Sequence, residues 1–398
     1  SNRTESTMKN IELTNQQRIY LGLEPIEENW IKKQIRDNLW IYINGTTICK
    51  RISISDVSYT EEQLDAPVDA SFTTLQPKTT KGKAKKLTPS SVSGIQPTGV
   101  YFYYNSGKML IASYTTQTTF YNNEKDSFEY HPIEELPALL EQWIADSTEE
   151  DLAALETFRT AKRKHCIFKE GDFFRFKIGR RMYGYGRILM NIDKFRKTQK
   201  YKEKDYTWFR SLMGKPLLIK VYHKLSSSAE VPVEELAACT AFPSQTIMDN
   251  IFYYGECEII GHKELELTEL DMPISYGRSI DSREPELVYL QYGLIYQKTS
   301  TFQFKKYLKD EHAADSGRCE TNPYSGNSIG FHIDIARYPE LMQRCIEVQS
   351  NLPYWNSDIY RVNYDLRNPK NEAIKREIFN HFNLDTNCNY AELYQSIY

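Results

Sequence analysis

The chain has 398 residues, 40% of them hydrophobic and 26% charged, a balance that excludes a disordered or fibrous protein and supplies length for two or three domains. Lys and Arg number 50 against 53 Asp and Glu, a formal charge of -3, so the chain as a whole is not built to coat nucleic acid or an anionic membrane. The seven cysteines are scattered and form no C-x-x-C pair, which argues against a disulfide framework or a zinc knuckle and suits a reducing cytoplasm. No run of 18 apolar residues is present to cross a bilayer, and no charged-then-apolar leader opens the chain. Tyrosine, at 29 residues against 18 Phe, points to a sheet-rich protein, because a tyrosine ring fills a strand face while its hydroxyl stays hydrogen-bonded.

In chain order, Leu39–Ile43 and Thr47–Ile52 flank Asn44-Gly45 and predict a hairpin with a type I′ turn. Gly99–Tyr104 and Met109–Tyr114 predict a second hairpin around Asn105-Ser106-Gly107. Between them, Pro77–Lys86 is basic, poor in apolar residues and reads as an exposed loop. Near His131 the period changes: Leu136, Leu139, Leu140 and Trp143 form one helical stripe, and Ser147-Thr148 caps a second helix carrying Leu152, Leu155 and Phe158. This pair either closes the first domain or links it to the next. From Phe168 strands return: Asp172–Ile178, a turn at Gly179-Arg180, Met182–Leu189, Pro216–Tyr222, Glu256–Ile260 and Leu287–Leu290. Short strands between Gly and Ser turns predict a curved antiparallel sheet or small barrel. Helical text follows at Pro339–Val348, Pro369–Phe382 and Tyr390–Tyr398. The fold class expected is α+β: a β-rich N-terminal domain over residues 1–130, linking helices over 131–165, and a β domain with C-terminal helices over 166–398.

The near-zero net charge conceals segregation. Arg159–Lys224 holds 20 Lys or Arg and five acids, whereas Glu124–Glu156 holds 11 acids and one Lys, and Leu225–Ser300 holds 13 acids and four basic residues. The basic block is interleaved with Phe195, Tyr201, Tyr206, Trp208 and Phe209, a combination that can follow a phosphate backbone and stack on bases. The competing reading is that the blocks pair with one another on solvated strand faces.

Chemistry is sparse. Gly326-Asn-Ser328-Ile-Gly330 matches a hydrolase elbow in letters, but a turn precedes it and strand-like Phe331–Ile335 follows, the reverse of the strand-to-helix setting that presents the hydroxyl. His332 and Asp334 would share a strand face, yet two groups do not complete a metal site. His165, His223 and His262 have no partner nearby in sequence. Gly184-Tyr-Gly186 runs on into Arg187-Ile-Leu189 rather than a phosphate-binding glycine pattern, and fits strand curvature or close backbone approach. No catalytic residue, metal or cofactor is expected.

The stretch Glu170–Leu189, with its Gly171-Asp172 entry and Tyr183-Gly-Tyr-Gly-Arg187 strand, resembles the opening hairpin of the immunity protein 26 family of bacterial polymorphic toxin systems. Gly214-Lys-Pro216 and Gly255–His262 continue the pattern in order, so that it spans about residues 168–272. The resemblance implies a bacterial cytoplasmic protein that binds a cognate toxin and blocks it without catalysis, nuclease toxins being common in such systems. It also marks Gly171, Asp172, Gly184, Gly186 and Gly261 as pattern positions. An acidic toxin would meet Arg180, Arg181, Tyr183, Tyr185 and Arg187. A basic one would meet the acidic block, Glu256 and Glu258 included. Tyr201, Tyr206, Tyr324 and Tyr354, in polar connecting text, are further candidates for a binding surface. The alternatives are nucleic-acid binding through residues 159–224 and an uncharacterised hydrolase.

Overall fold

The computed structural model describes residues 11–123, 131–227, 230–279, 283–308, 324 and 333–398. The chain divides into two compact units, residues 1–165 with Tyr254–Glu256, and Cys166–Tyr253 with Cys257–Tyr398.

The first unit is built on a seven-stranded antiparallel sheet of neighbour order β1-β2-β3-β4-β7-β8-β9. Its strands are β1 Ile31–Arg36, β2 Leu39–Asn44, β3 Thr47–Ile54, β4 Ser58–Pro67, β7 Thr98–Asn105, β8 Lys108–Ser113 and β9 Thr118–Asn122. The separate pair β5 Thr74–Leu75 and β6 Lys85–Lys86 frames the exposed basic loop. Both hairpins form, the second turning at Ser106-Gly107 as expected, but the turn of the first differs from the type I′ expected. Asn44 pairs with Thr47, and only Gly45 of the two central residues has positive φ (62°), the glycine-first pattern of a II′ turn. The I′ requirement of two positive φ angles is met instead by Ser106 and Gly107 (53° and 101°).

One face of this sheet packs against helices α1 Asn15–Tyr20, α2 Leu136–Asp146 and α3 Glu149–Thr160. Thr148 caps α3 by accepting from the Asp151 amide in a reciprocal capping box. Leu136, Leu140, Trp143 and Leu155 enter the same core as Tyr59, Phe102 and Ile111, each such side chain contributing about 1.5–3 kcal/mol of transfer free energy. Within that core Glu61 is fully buried. Its carboxylate accepts from Arg18 Nε (3.0 Å), Lys50 Nζ (2.7 Å) and Tyr59 Oη (2.7 Å). Burial pushes its pKa up, and the two cations more than reverse this, so it is held below the usual carboxylate range.

The second unit contains an open five-stranded antiparallel sheet, β13-β12-β11-β10-β14, with β10 Asp172–Ile178, β11 Met182–Asn191, β12 Pro216–Ser226, β13 Gln245–Met248 and β14 Glu258–His262. A three-stranded sheet, β15 Ile274–Arg278, β16 Leu287–Tyr292 and β17 Ile295–Ser300, accompanies it. The edge strands do not meet, so of the two forms expected it is an open antiparallel sheet, and no closed barrel exists among the described residues. One sheet face, with Phe174, Phe176, Ile188 and Val221, is covered by α5 Pro339–Val348 through Leu341, Met342 and Cys345. The other, with Phe173, Tyr185 and Tyr222, is covered at its centre by Leu236 of the short helix α4 Val233–Ala237. Helices α6 Glu372–His381 and α7 Tyr390–Ile397 close a larger core around β15–β17. Asp334–Arg337 is a 3-10 turn rather than the strand expected there, and residues 326–332, with Ser328 and His332, lie outside the described residues.

Candidate functional site

The β10–β11 hairpin organises the second unit. Its register places Phe174 opposite Gly186 and Phe176 opposite Gly184. A Cβ on Gly184 would come within 2.4 Å of Phe176 Cζ, and one on Gly186 within 2.4 Å of Phe174 Cζ and 2.5 Å of the Lys220 carbonyl oxygen. The two phenyl rings therefore lie across the glycines of the neighbouring strand and fill the space a side chain would take. Alternation sends Tyr183, Tyr185 and Arg187 to the opposite face.

On that face the sequence candidates separate. Tyr185 is fully buried and Arg187 is 1% exposed. The Arg187 guanidinium lies 4.5 Å from the Phe173 ring centroid and donates to Glu269 Oε1 at 2.6 Å and to the Lys263 carbonyl at 2.6 Å. It anchors the segment after β14 to the sheet. Glu269 is pushed up by burial but held below the usual carboxylate range by the Glu266 amide and by Arg187. Tyr183 is half-buried, with the Arg175 guanidinium 5.1 Å from its ring centroid, and Arg175 donates to Glu258 at 2.9 Å. Gly179 turns the hairpin at φ 60°, leaving Arg181 and Met182 exposed and Arg180 half-buried. Five residues, Arg175, Arg181, Met182, Tyr183 and Glu258, are thus carried at the hairpin end of the sheet. Glu256 groups with the first unit.

At the other end of β10, Gly171, Asp172, Gly261 and His262 meet although some 90 residues separate the two pairs. Asp172 pairs with His262 and Phe173 with Gly261 in the β10–β14 register. Gly171 has φ 90°, and a Cβ there would meet the Lys263 carbonyl oxygen at 2.5 Å. The buried Asp172 accepts from the Lys169 amide (2.9 Å) and from His262 Nδ1 (2.7 Å), while His262 Nε2 reaches Glu264 Oε1 at 2.9 Å. A ring with a carboxylate at each nitrogen favours the imidazolium, and the pKa of His262 is raised, first by Glu264 and then by Asp172. Sequence reading missed His262, because the partner that gives it meaning lies far away in the chain.

The charge blocks join in cross-strand and inter-element pairs. Lys224 binds Glu235 (2.8 Å), Arg175 binds Glu258, Arg187 binds Glu269 and Asp205 binds Lys298 (2.8 Å). The antiparallel fold brings sequence-separated signs together. The aromatics of the basic block do not form an open stacking platform: Tyr206, Trp208 and Phe209 are at most 3% exposed. Nor are Tyr201, Tyr324 and Tyr354 exposed as expected; each is half-buried, and Tyr206 is fully buried. Short helices at Ile192–Phe195, Gln199–Lys202 and Thr207–Ser211 fold this polar text back onto the β15–β17 core. No His, Cys, Asp or Glu group suited to a metal ion occurs among the described residues, and no described helix is long and apolar enough to cross a membrane.

No curated protein and no solved structure matches the chain. The hairpin, the Asp172–His262 pairing and the Arg187 anchor all fall within residues 169–284, and that segment matches the family model for immunity protein 26, which supports an immunity-protein role.

Proposed function

We propose that this protein binds a cognate bacterial toxin and neutralises it by steric and electrostatic blocking, without catalysis, using the hairpin end of the five-stranded sheet. The observation that carries the reading is the coincidence of the family-matched segment with a preorganised, partly exposed rim. Tyr183 is held by Arg175, Arg175 by Glu258, and Arg181 and Met182 project beside them. Tyr, Arg and Met are residue types enriched in protein interfaces, and an aromatic fixed before contact loses little rotamer freedom on binding. The excess of arginine on the rim suits an acidic toxin surface and fast, salt-sensitive capture.

The test is co-expression with the protein encoded by the neighbouring gene, with a nuclease assay as the first activity readout. The expected result is a stable complex and loss of toxicity. The double variant Arg181→Glu, Tyr183→Ala should weaken the complex at least about tenfold, about 1.4 kcal/mol, while its circular dichroism stays that of the parent. Absence of both complex and protection would count against the toxin reading; an unchanged affinity of the double variant would move the surface away from the hairpin.

A further inference from the structure

Behind the Asp172–His262 pair lies a cleft of about 600 Å³, inside the range of small-molecule sites. Leu189, Met190, Phe195, Leu270, Met272 and Leu294 form an apolar wall, and polar and charged side chains line the rest. Its rim carries charge of both signs, but unequally committed. Glu170 accepts from the Asn191 amide at 2.8 Å, and Glu264 is taken by His262. The rim ammonium groups of Lys169 and Lys194 have no ion pair among the described residues, and both residues are exposed. Lys169 acts at longer range on both His262 and Glu264. A cleft with an apolar wall and two lysines of its lining outside any described ion pair complements a molecule with an apolar body and an anionic head.

We propose that this cleft binds an organic anion, an aromatic or aliphatic body bearing one carboxylate, sulfonate or phosphate group, with the body on the Met190–Met272 side and the head between Lys169 and Lys194. The assignment does not rest on the toxin reading, and its failure leaves that reading intact.

Two dyes of one shape and different charge test it on the full chain. 8-Anilinonaphthalene-1-sulfonate carries the anion, and N-phenyl-1-naphthylamine lacks it. Fluorescence titration at low salt should show the sulfonate binding saturably to one site and the neutral dye binding at least tenfold more weakly. In Lys169→Gln, Lys194→Gln the sulfonate should lose at least tenfold in affinity while the neutral dye is unchanged. Both lysines are surface residues outside the cores, so the fold is expected to survive, and the neutral dye reports whether the apolar wall is intact. Equal affinities of the two dyes for the parent protein, or a sulfonate affinity unaltered by the double substitution, would overturn the proposal.

Discussion

Asp172 and His262 face each other across β10 and β14 at 2.7 Å, a bond between residues 90 positions apart that neither local sequence discloses. Asp172 is buried, and its other oxygen is occupied by the Lys169 amide. The imidazole is therefore oriented from the protein side and has Glu264 on the solvent side. Asp172→Asn removes one of the two carboxylates that raise the His262 pKa. The predicted outcome is that the His262 ring, followed by NMR, titrates above the ordinary value near 6.5 in the parent protein and moves down in Asp172→Asn. A ring that titrates identically in both proteins would show that the bond does not form in solution.

Arg187 supplies a second prediction. Its guanidinium bridges a carboxylate and a backbone carbonyl in different directions while lying over the Phe173 ring. Removing it leaves the Lys263 carbonyl and Glu269, whose side chain is 23% exposed, without their donor, and hydrogen bonds to a charged group are worth about 1.5–3 kcal/mol each. A lysine cannot reproduce a planar fork. Urea unfolding should find Arg187→Met strongly destabilised and Arg187→Lys only partly rescued, whereas Arg181→Lys at the exposed hairpin turn should stay within about 0.5 kcal/mol of the parent. A well-tolerated Arg187→Lys would mean that charge alone suffices at this position.

The contrast between Arg187 and Arg181 shows what the sequence could and could not disclose. The β10–β11 hairpin was legible because alternation over seven and ten residues brackets a glycine turn. The C-terminal helices were legible from their periodicity and from Pro339 at a first helical position. Strand β13 has only four residues, and nothing local distinguishes it; it becomes a strand by pairing with Pro216–Ile219 of β12. β15 and β17 likewise take their identity from β16. At the site, alternation placed Tyr183, Tyr185 and Arg187 on one face but could not say that α4 and the segment after β14 cover two of them. Covering is a long-range fact, as is the partner of His262.

The glycines of β11 yield a third prediction. Because Phe176 and Phe174 occupy the space above Gly184 and Gly186, an added methyl must displace a ring. Overpacking of this kind costs about 1–3 kcal/mol. At Gly184 the nearest obstacles are all side-chain atoms, whereas at Gly186 the backbone oxygen of Lys220 is also in the way. Gly186→Ala should therefore be the more damaging. Phe176→Leu combined with Gly184→Ala should recover part of the loss in a double-mutant cycle, and no ring truncation should rescue Gly186→Ala fully. Equal losses, with no coupling between Phe176 and Gly184, would contradict the packing described.

Two histidines of the second unit should give its stability opposite pH slopes. His223 is 1% exposed, between Thr240 Oγ1 at 2.6 Å and Asn351 Oδ1 at 2.8 Å, with the Phe242 ring edge-on at 4.4 Å. Burial lowers its pKa more than the Asn351 bond raises it. The unfolded chain then binds the extra proton first, so the contribution of His223 is complete above the unfolded value near 6.5 and is lost as pH falls through the folded pKa. His262 behaves the other way. Its folded pKa is raised, so its contribution is complete below about 6.5 and is lost as pH rises through the folded value. Urea unfolding between pH 5 and 8 separates them: His223→Gln should flatten the acid limb, and His262→Gln the alkaline limb. Because His223 ties β12 to Asn351 after α5, its protonation should also loosen that helix first, seen as faster amide exchange over Leu341–Cys345 at pH 5 than at pH 7 after correction for intrinsic rates. Exchange there that is indifferent to pH would separate His223 from the anchoring of the helix.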